Sequence, residues 1–170
     1  MISREEALQI LKDEGCDEKV IRHCITVSDK AVEVAKKNIE IGRDVDISLV
    51  EIGGLLHDLG RAKTHDMTHA IVGVKLAKKH DVEESVLEII KRHIGAGVTK
   101  EEAAALGLPD DDYIPRTLEE KIVAHADNLV KGTKVITLEK RNELLEENGA
   151  DEDIIKRIND LAREIDPDYF

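Results

Sequence analysis

Five residues of this chain pair metal-binding side chains with apolar, helical settings. His23 lies on an apolar stripe between Val20 and Val27. His57 and Asp58 close the apolar run Gly53-Gly54-Leu55-Leu56. His93 follows Ile89 and Ile90, and Asp127 lies one helical turn from both Val123 and Val130. Such positions aim ionisable groups inward. Burying a carboxylate costs several kcal/mol unless something compensates. A divalent cation supplies that compensation, and neutral imidazoles complete its shell. A set of two imidazoles and two carboxylates suits Mn, Fe, Co, Ni or Zn better than Ca or Mg. Consecutive side chains on a helix point about 100° apart. His57 and Asp58 therefore share one metal only if it lies beyond the helix end, where the backbone can turn.

Other residues read more plainly. His65 and His80 are flanked by charge and are expected at the surface. His125 stands about 200° around a helix from Asp127 and should not share its metal face. Asp110-Asp111-Asp112 reads as a solvated loop, Tyr113 as packing, and Gly95 with Gly97 as a helix stop and a turn. Cys16 and Cys24 do not form a CxxC pair, and Cys24 is expected as a buried thiol. No Walker loop, GxSxG elbow or paired zinc-cysteine motif is present.

Helices must position these groups, because helix signals recur and nothing reads convincingly as a sheet. Ser3 with Glu6, Thr99 with Glu102, and Thr117 with Glu120 form capping boxes, and Asp81 with Glu84 is read the same way. A long helix is predicted over about 17–39, and a third is capped by Asp46 and stops at His57-Asp58-Leu59-Gly60, where Gly60 suits a C-terminal turn. A fourth is predicted near 68–79, and a fifth runs to His93. The last helix carries Ile154, Ile158, Leu161 and Ile165 on one stripe, expected to pack on the domain or across a homodimer interface.

With only 2% aromatic residues, Leu, Ile, Val and Ala must fill the core. A net charge of -12 repels phosphate backbones at long range, so bulk nucleic-acid binding is not expected. A small phosphorylated substrate remains compatible, since a bound cation dominates its local field. The start, MISREEALQILKDEG, is charged and amphipathic rather than signal-like. No apolar run approaches the ~20 residues needed to span a bilayer. A cytoplasmic protein with no membrane partner is expected.

The ordered set of an early His, a central His-Asp and a later Asp in a helical chain resembles the HD superfamily of metal-dependent phosphohydrolases. LLHDLGR resembles that family's core motif, with Arg61 where Lys is usual, and EEKIVAHADNL resembles its closing helix. The resemblance covers about 17–133. It implies an all-α fold: one orthogonally packed HD domain over 1–170, with extra N-terminal and C-terminal helices, the latter at about 136–166. It implies a first metal on His23, His57, Asp58 and Asp127, and hydrolysis of a nucleotide-like phosphoester by metal-activated water. THAIVGVKLAKKH, IIKRHIGAG and TLEEKIVAHADNL are similar to bacterial HD-type enzymes that cleave diadenosine tetraphosphate symmetrically. That likeness implies a second metal on His69 and His93, with Asp58 shared. Asp58 and Arg61 are the expected catalytic residues, Arg61 neutralising charge on the phosphoryl oxygens.

The double His and the Gly-Tyr-Pro segment of cyclic-di-GMP phosphodiesterases are absent, which disfavours that substrate. RHIGAGVTKEEAAALGLP resembles small archaeal HD proteins, some of which open a 2′,3′-cyclic phosphate in pterin cofactor synthesis. Three alternatives thus stand beside nucleotide cleavage: that activity, a non-catalytic HD domain sensing a nucleotide, and a structural helical bundle.

Overall fold

A computed structural model describes residues 1–170. The chain is all-α apart from one small hairpin. Its helices are α1 (Arg4–Asp13), α2 (Glu18–Glu40), α3 (Ile47–Leu56), α4 (His69–Lys78), α5 (Glu84–Lys91), α6 (Lys100–Ala105), α7 (Leu118–Asn128), α8 (Leu138–Glu147) and α9 (Glu152–Ile165). A 3-10 turn, Leu59–Ala62, links α3 to the α4 segment, and another, Pro167–Tyr169, ends the chain. The side chains of Ser3, Asp17, Asp46, Thr99 and Thr117 each accept an amide hydrogen at a helix start, and the three expected capping boxes at Ser3, Thr99 and Thr117 form.

The core lies on the two sides of α3. On one side, Leu11, Cys24, Leu55, Leu56, Val86 and Ile90 are fully buried. On the other, Val27, Ala31 and Val34 of α2 meet Val50, Ile122, Val123 and Ile165. Each fully buried Leu or Ile contributes about 1.5–3 kcal/mol. Helices α2 and α3 cross closely because Gly54 has no side chain: a Cβ there would stand 2.7 Å from Ser28 Cα. Ser28 Oγ then donates to the Glu51 carbonyl at 2.9 Å. No helix is long and apolar enough to cross a membrane.

Four expectations are corrected. Asp81 does not cap α5. It adopts a left-handed φ of 55° so that Val82 turns into the core, and the N-cap passes to Glu83, which makes no side-chain cap bond. Helix α5 ends at Lys91, placing His93 just past the helix. Gly60 is not a left-handed helix stop. A Cβ on it would lie 1.8 Å from the His69 carbonyl oxygen, so glycine is required by the close approach of α4. Finally, Val130–Lys131 (β1) and Lys134–Val135 (β2) pair antiparallel about Gly132, whose φ of 62° makes the tight turn. A pair of two-residue strands is too short to show alternation in sequence.

The predicted C-terminal stripe packs on the domain itself. Ile158, Leu161 and Ile165 are buried, while Ile154 is half-buried. Tyr113 is buried, with its hydroxyl donating to the Pro109 carbonyl at 2.8 Å, as packing rather than as an exposed stacking surface. Cys16 and Cys24 are buried, free thiols.

Candidate metal centre

The end of α3 sets the site. His57 is the last residue with helical backbone angles, φ -55° and ψ -36°, while Asp58 has turned to φ -104° and ψ 17°. This departure from helical geometry lets adjacent side chains converge, as the sequence required. His23 comes from the second turn of α2, His69 from the first residue of α4, His93 from the segment after α5, and Asp127 from the end of α7. All six residues singled out in sequence meet at one place.

Each imidazole is oriented by a backbone carbonyl. His57 Nδ1 lies 2.6 Å from the Gly54 oxygen, His69 Nδ1 2.7 Å from Asp66, His93 Nδ1 2.7 Å from Ile90, and His23 Nδ1 2.5 Å from Gly132 at the hairpin turn. A carbonyl oxygen can only accept, so every Nδ1 carries the hydrogen and donates. In the neutral rings, every Nε2 therefore presents a lone pair inward. Fixing the tautomer through the second nitrogen is the usual support for a metal-ligating histidine.

The inward atoms fall into two groups around Asp58. His23 Nε2 lies 3.3 Å from Asp58 Oδ2 and 3.1 Å from Asp127 Oδ1, and His57 Nε2 lies 3.5 and 3.3 Å from the same two oxygens. His69 Nε2 and His93 Nε2 are each 3.2 Å from Asp58 Oδ1 and 3.1 Å from one another. Lone pairs thus face lone pairs and carboxylates. His57 Nε2 and Asp58 Oδ1 are fully buried and have no hydrogen-bond partner. Ligands held about 2.0–2.2 Å from a metal stand about 3.0–3.5 Å apart, the spacing seen here. The donor set fits metal ions, and an unpaired buried acceptor is otherwise costly.

Electrostatics agree. Burial opposes charging of His23, but a proton added to Nε2 gains hydrogen bonds to Asp127 and Asp58 that outweigh burial and push it up to about 10. Burial likewise opposes charging of His57, and the Asp58 and Asp127 charges raise it well above the ordinary value. Burial disfavours ionised Asp58 and Asp127, yet the neighbouring imidazoles hold both below the carboxylate range. His93 goes the other way: burial lowers it. The two carboxylates demand positive charge, which protons supply in part and divalent ions supply more fully.

A pocket of about 380 Å³ opens over these atoms, lined by His23, Asp58, Arg61, His69, His93 and Asp127 together with residues of the C-terminal helices. Arg61 stands at its edge, with Nε 3.8 Å from Asp58 Oδ1 and Nη1 donating to the His65 carbonyl. His65 is exposed, and His80 is half-buried against Glu14 at 2.8 Å. His125 points away from the centre, to Asp166 at 2.8 Å. Sequence reasoning missed Arg141, which enters the pocket from α8, and the four carbonyls that orient the imidazoles. Backbone acceptors leave no trace in residue type.

The HD domain model of protein families matches residues 20–132. The chain belongs to the HD domain family. It is 49% identical over 162 residues to an uncharacterized protein of Methanocaldococcus jannaschii, covering 95% of each. It is 43% identical over 161 residues to the tRNA (cytidine(56)-2'-O)-methyltransferase of Picrophilus torridus, covering 95% of this chain and 46% of that protein. The chain thus spans about half the length of that methyltransferase. Among solved structures, the HD domain of the L. monocytogenes phosphodiesterase PgpH, in complex with cyclic-di-AMP, superposes with a TM-score of 0.59. That match covers 92% of both chains at 17% identity, and shares the fold. The HD match ends at residue 132, so α8 and α9 lie outside it.

Proposed function

We propose that this HD domain is a two-metal phosphohydrolase acting on a small, nucleotide-like phosphoester, with all 170 residues working as one unit. His23, His57 and Asp127 would hold one metal and His69 and His93 the second, with Asp58 placed between the two sets. The imidazole-carboxylate donor set would suit transition ions: Mn, Fe, Co, Ni or Zn. When bound, such ions supply Lewis acidity toward water and toward phosphoryl oxygens.

The residues themselves supply position and charge. The four carbonyl acceptors hold the rings so that no reorientation is needed on binding. Arg61, at the pocket edge beside Asp58, offers guanidinium hydrogens to phosphoryl oxygens as charge builds. Burial of His57, His69 and His93 excludes bulk water from the inner wall and strengthens every charge interaction there.

The observation that carries this reading is the split of Asp58, whose Oδ2 faces His23 and His57 while its Oδ1 faces His69 and His93. A structural bundle gains nothing from such a carboxylate, and a sensor needs no second set of ligands. Metal analysis of protein prepared anaerobically with Mn or Fe, followed by a phosphoester panel on the same sample, tests it. About two metals per chain and turnover of a phosphoester are expected. A metal-free protein would refute the reading, and a metal-loaded protein with no turnover would favour the sensor.

A further inference from the structure

Arg141 has no place in the metal centre, yet it lines the same pocket. Its Nε donates to the Asn128 carbonyl at 2.6 Å and its Nη2 to the Val130 carbonyl at 3.0 Å. Those carbonyls belong to the stretch just after Asp127, so the guanidinium is fixed relative to the metal ligands. No carboxylate lies within ion-pair distance of it, and Nη1 makes no hydrogen bond within the chain. Burial lowers its pKa, and the more distant charge of Asp127 only partly offsets this. A cation held this way is favourable once an anion arrives.

Beside Arg141 the pocket wall is apolar, formed by Ile94, Leu145, Ile154 and Ile158. Ile154 and Leu145 are only half-buried, so the wall is presented to a ligand rather than sealed in the core. A pocket of about 380 Å³ lies at the small end of the ~300–1,000 Å³ range of ligand sites. The end of α8, the start of α9 and the turn between them carry Glu146, Glu147, Asp151, Glu152 and Asp153, all exposed and next in sequence to the pocket residues Leu145 and Ile154. Exposed acidic residues beside this apolar wall repel a long polyanion.

We infer that α8 and α9 complete the substrate pocket, with Arg141 gripping the phosphate of a single nucleotide whose nucleoside lies against Ile94, Leu145, Ile154 and Ile158. This rests on the phosphohydrolase reading and narrows it. The C-terminal helices become the specificity element of the domain, and a mononucleotide unit, rather than a polynucleotide, is what the pocket admits.

Calorimetric titration of the 170-residue, Mn-loaded protein tests it, using AMP, ribose 5-phosphate and a short oligoribonucleotide as probes, with Mn content measured on each sample. AMP should bind at least about 10-fold more tightly than ribose 5-phosphate, the value of roughly one buried apolar contact patch. Arg141→Met should weaken AMP by about 10- to 100-fold while keeping its Mn, as expected for a lost hydrogen bond to a charged group. Ile154→Ser should erase the advantage of AMP over ribose 5-phosphate and leave ribose 5-phosphate binding unchanged. Equal binding of AMP and ribose 5-phosphate, an Arg141→Met protein that binds AMP like the wild type, or tighter binding of the oligonucleotide than of AMP would each overturn the inference. Absence of Mn from the wild-type sample would instead overturn the metal reading beneath it.

Discussion

The two halves of the proposed metal centre are built unequally. The His23–His57 half has a carboxylate of its own, Asp127, and a share of Asp58, and it opens to solvent through His23 and Asp127, whose side chains are 15% and 22% exposed. The His69–His93 half has only its share of Asp58, and its imidazoles are 3% and 1% exposed. A divalent ion in the first half would meet more negative charge, whereas one in the second would be held mainly by neutral nitrogens in a drier place. The first should bind more tightly, and the second should depend more on the accuracy of its supports.

Removing the shared oxygen pair should have the largest effect. Asp58→Ala is expected to lose both metals and to reduce phosphoester hydrolysis to that of chelated wild type, read by metal analysis and by the same assay. A fully active Asp58→Ala protein would sink the two-metal hypothesis and the comparison with it. Next comes the difference between the halves. His93→Ala should retain about one metal and lose much of the rate, while Asp127→Ala should lose the tighter ion. In a chelator titration of the wild type, the first metal to leave should be the one that His93→Ala lacks. Simultaneous loss of both would show the halves to be equivalent.

A smaller and more selective effect is expected at Gly60. A Cβ there meets the His69 carbonyl oxygen at 1.8 Å, and that oxygen belongs to backbone that cannot swing aside like a side chain. Gly60→Ala should cost about 1–3 kcal/mol of stability by overpacking and should displace His69. Denaturant melts would read the first effect. Metal analysis would read the second as loss of the weaker ion alone, and unchanged metal content would mean that His69 is positioned by something other than this contact.

How much was legible beforehand follows from what kind of signal each feature leaves. Five of the six candidate ligands were readable because ionisable residues in apolar helical settings are conspicuous and their order matched the HD pattern, whereas His69 entered only through the likeness to the diadenosine tetraphosphate-cleaving enzymes. Helix starts were readable where a Ser, Thr or Asp side chain caps them. Asp81 misled because the demand to bury Val82 overrode the local cap. Gly60 looked like a helix stop because a residue's type does not say whether its backbone or its neighbour needs the missing Cβ. Arg141 was illegible for a different reason. In sequence it is one charge in a charged helix, and only the fold brings α8 back over the end of α7.

The effect expected to be smallest on the metal centre lies on the opposite face of α7 from Asp127, and it separates the stability of the scaffold from the integrity of that centre. There His125 and Asp166 are both fully buried and hydrogen-bonded at 2.8 Å, joining α7 to the chain just after α9. Asp166→Ala removes that partner and leaves an imidazole nitrogen unsatisfied, which should cost about 1–3 kcal/mol. Burial opposes ionisation of Asp166, but the hydrogen bonds from His125 and from the Asp168 amide outweigh it and hold the carboxyl below its ordinary value. A folded pKa below the unfolded one contributes stability that is present above the unfolded value, about 3.9, and that is lost as pH falls through the folded value. The stability gap between wild type and Asp166→Ala should therefore be full at neutral pH and should narrow only in acid below about pH 4. Denaturant midpoints across that range would measure it. Metal content at neutral pH should stay at the wild-type level, because neither half of the centre touches this pair. Loss of either metal in Asp166→Ala would mean that α7 transmits the change from one face to the other.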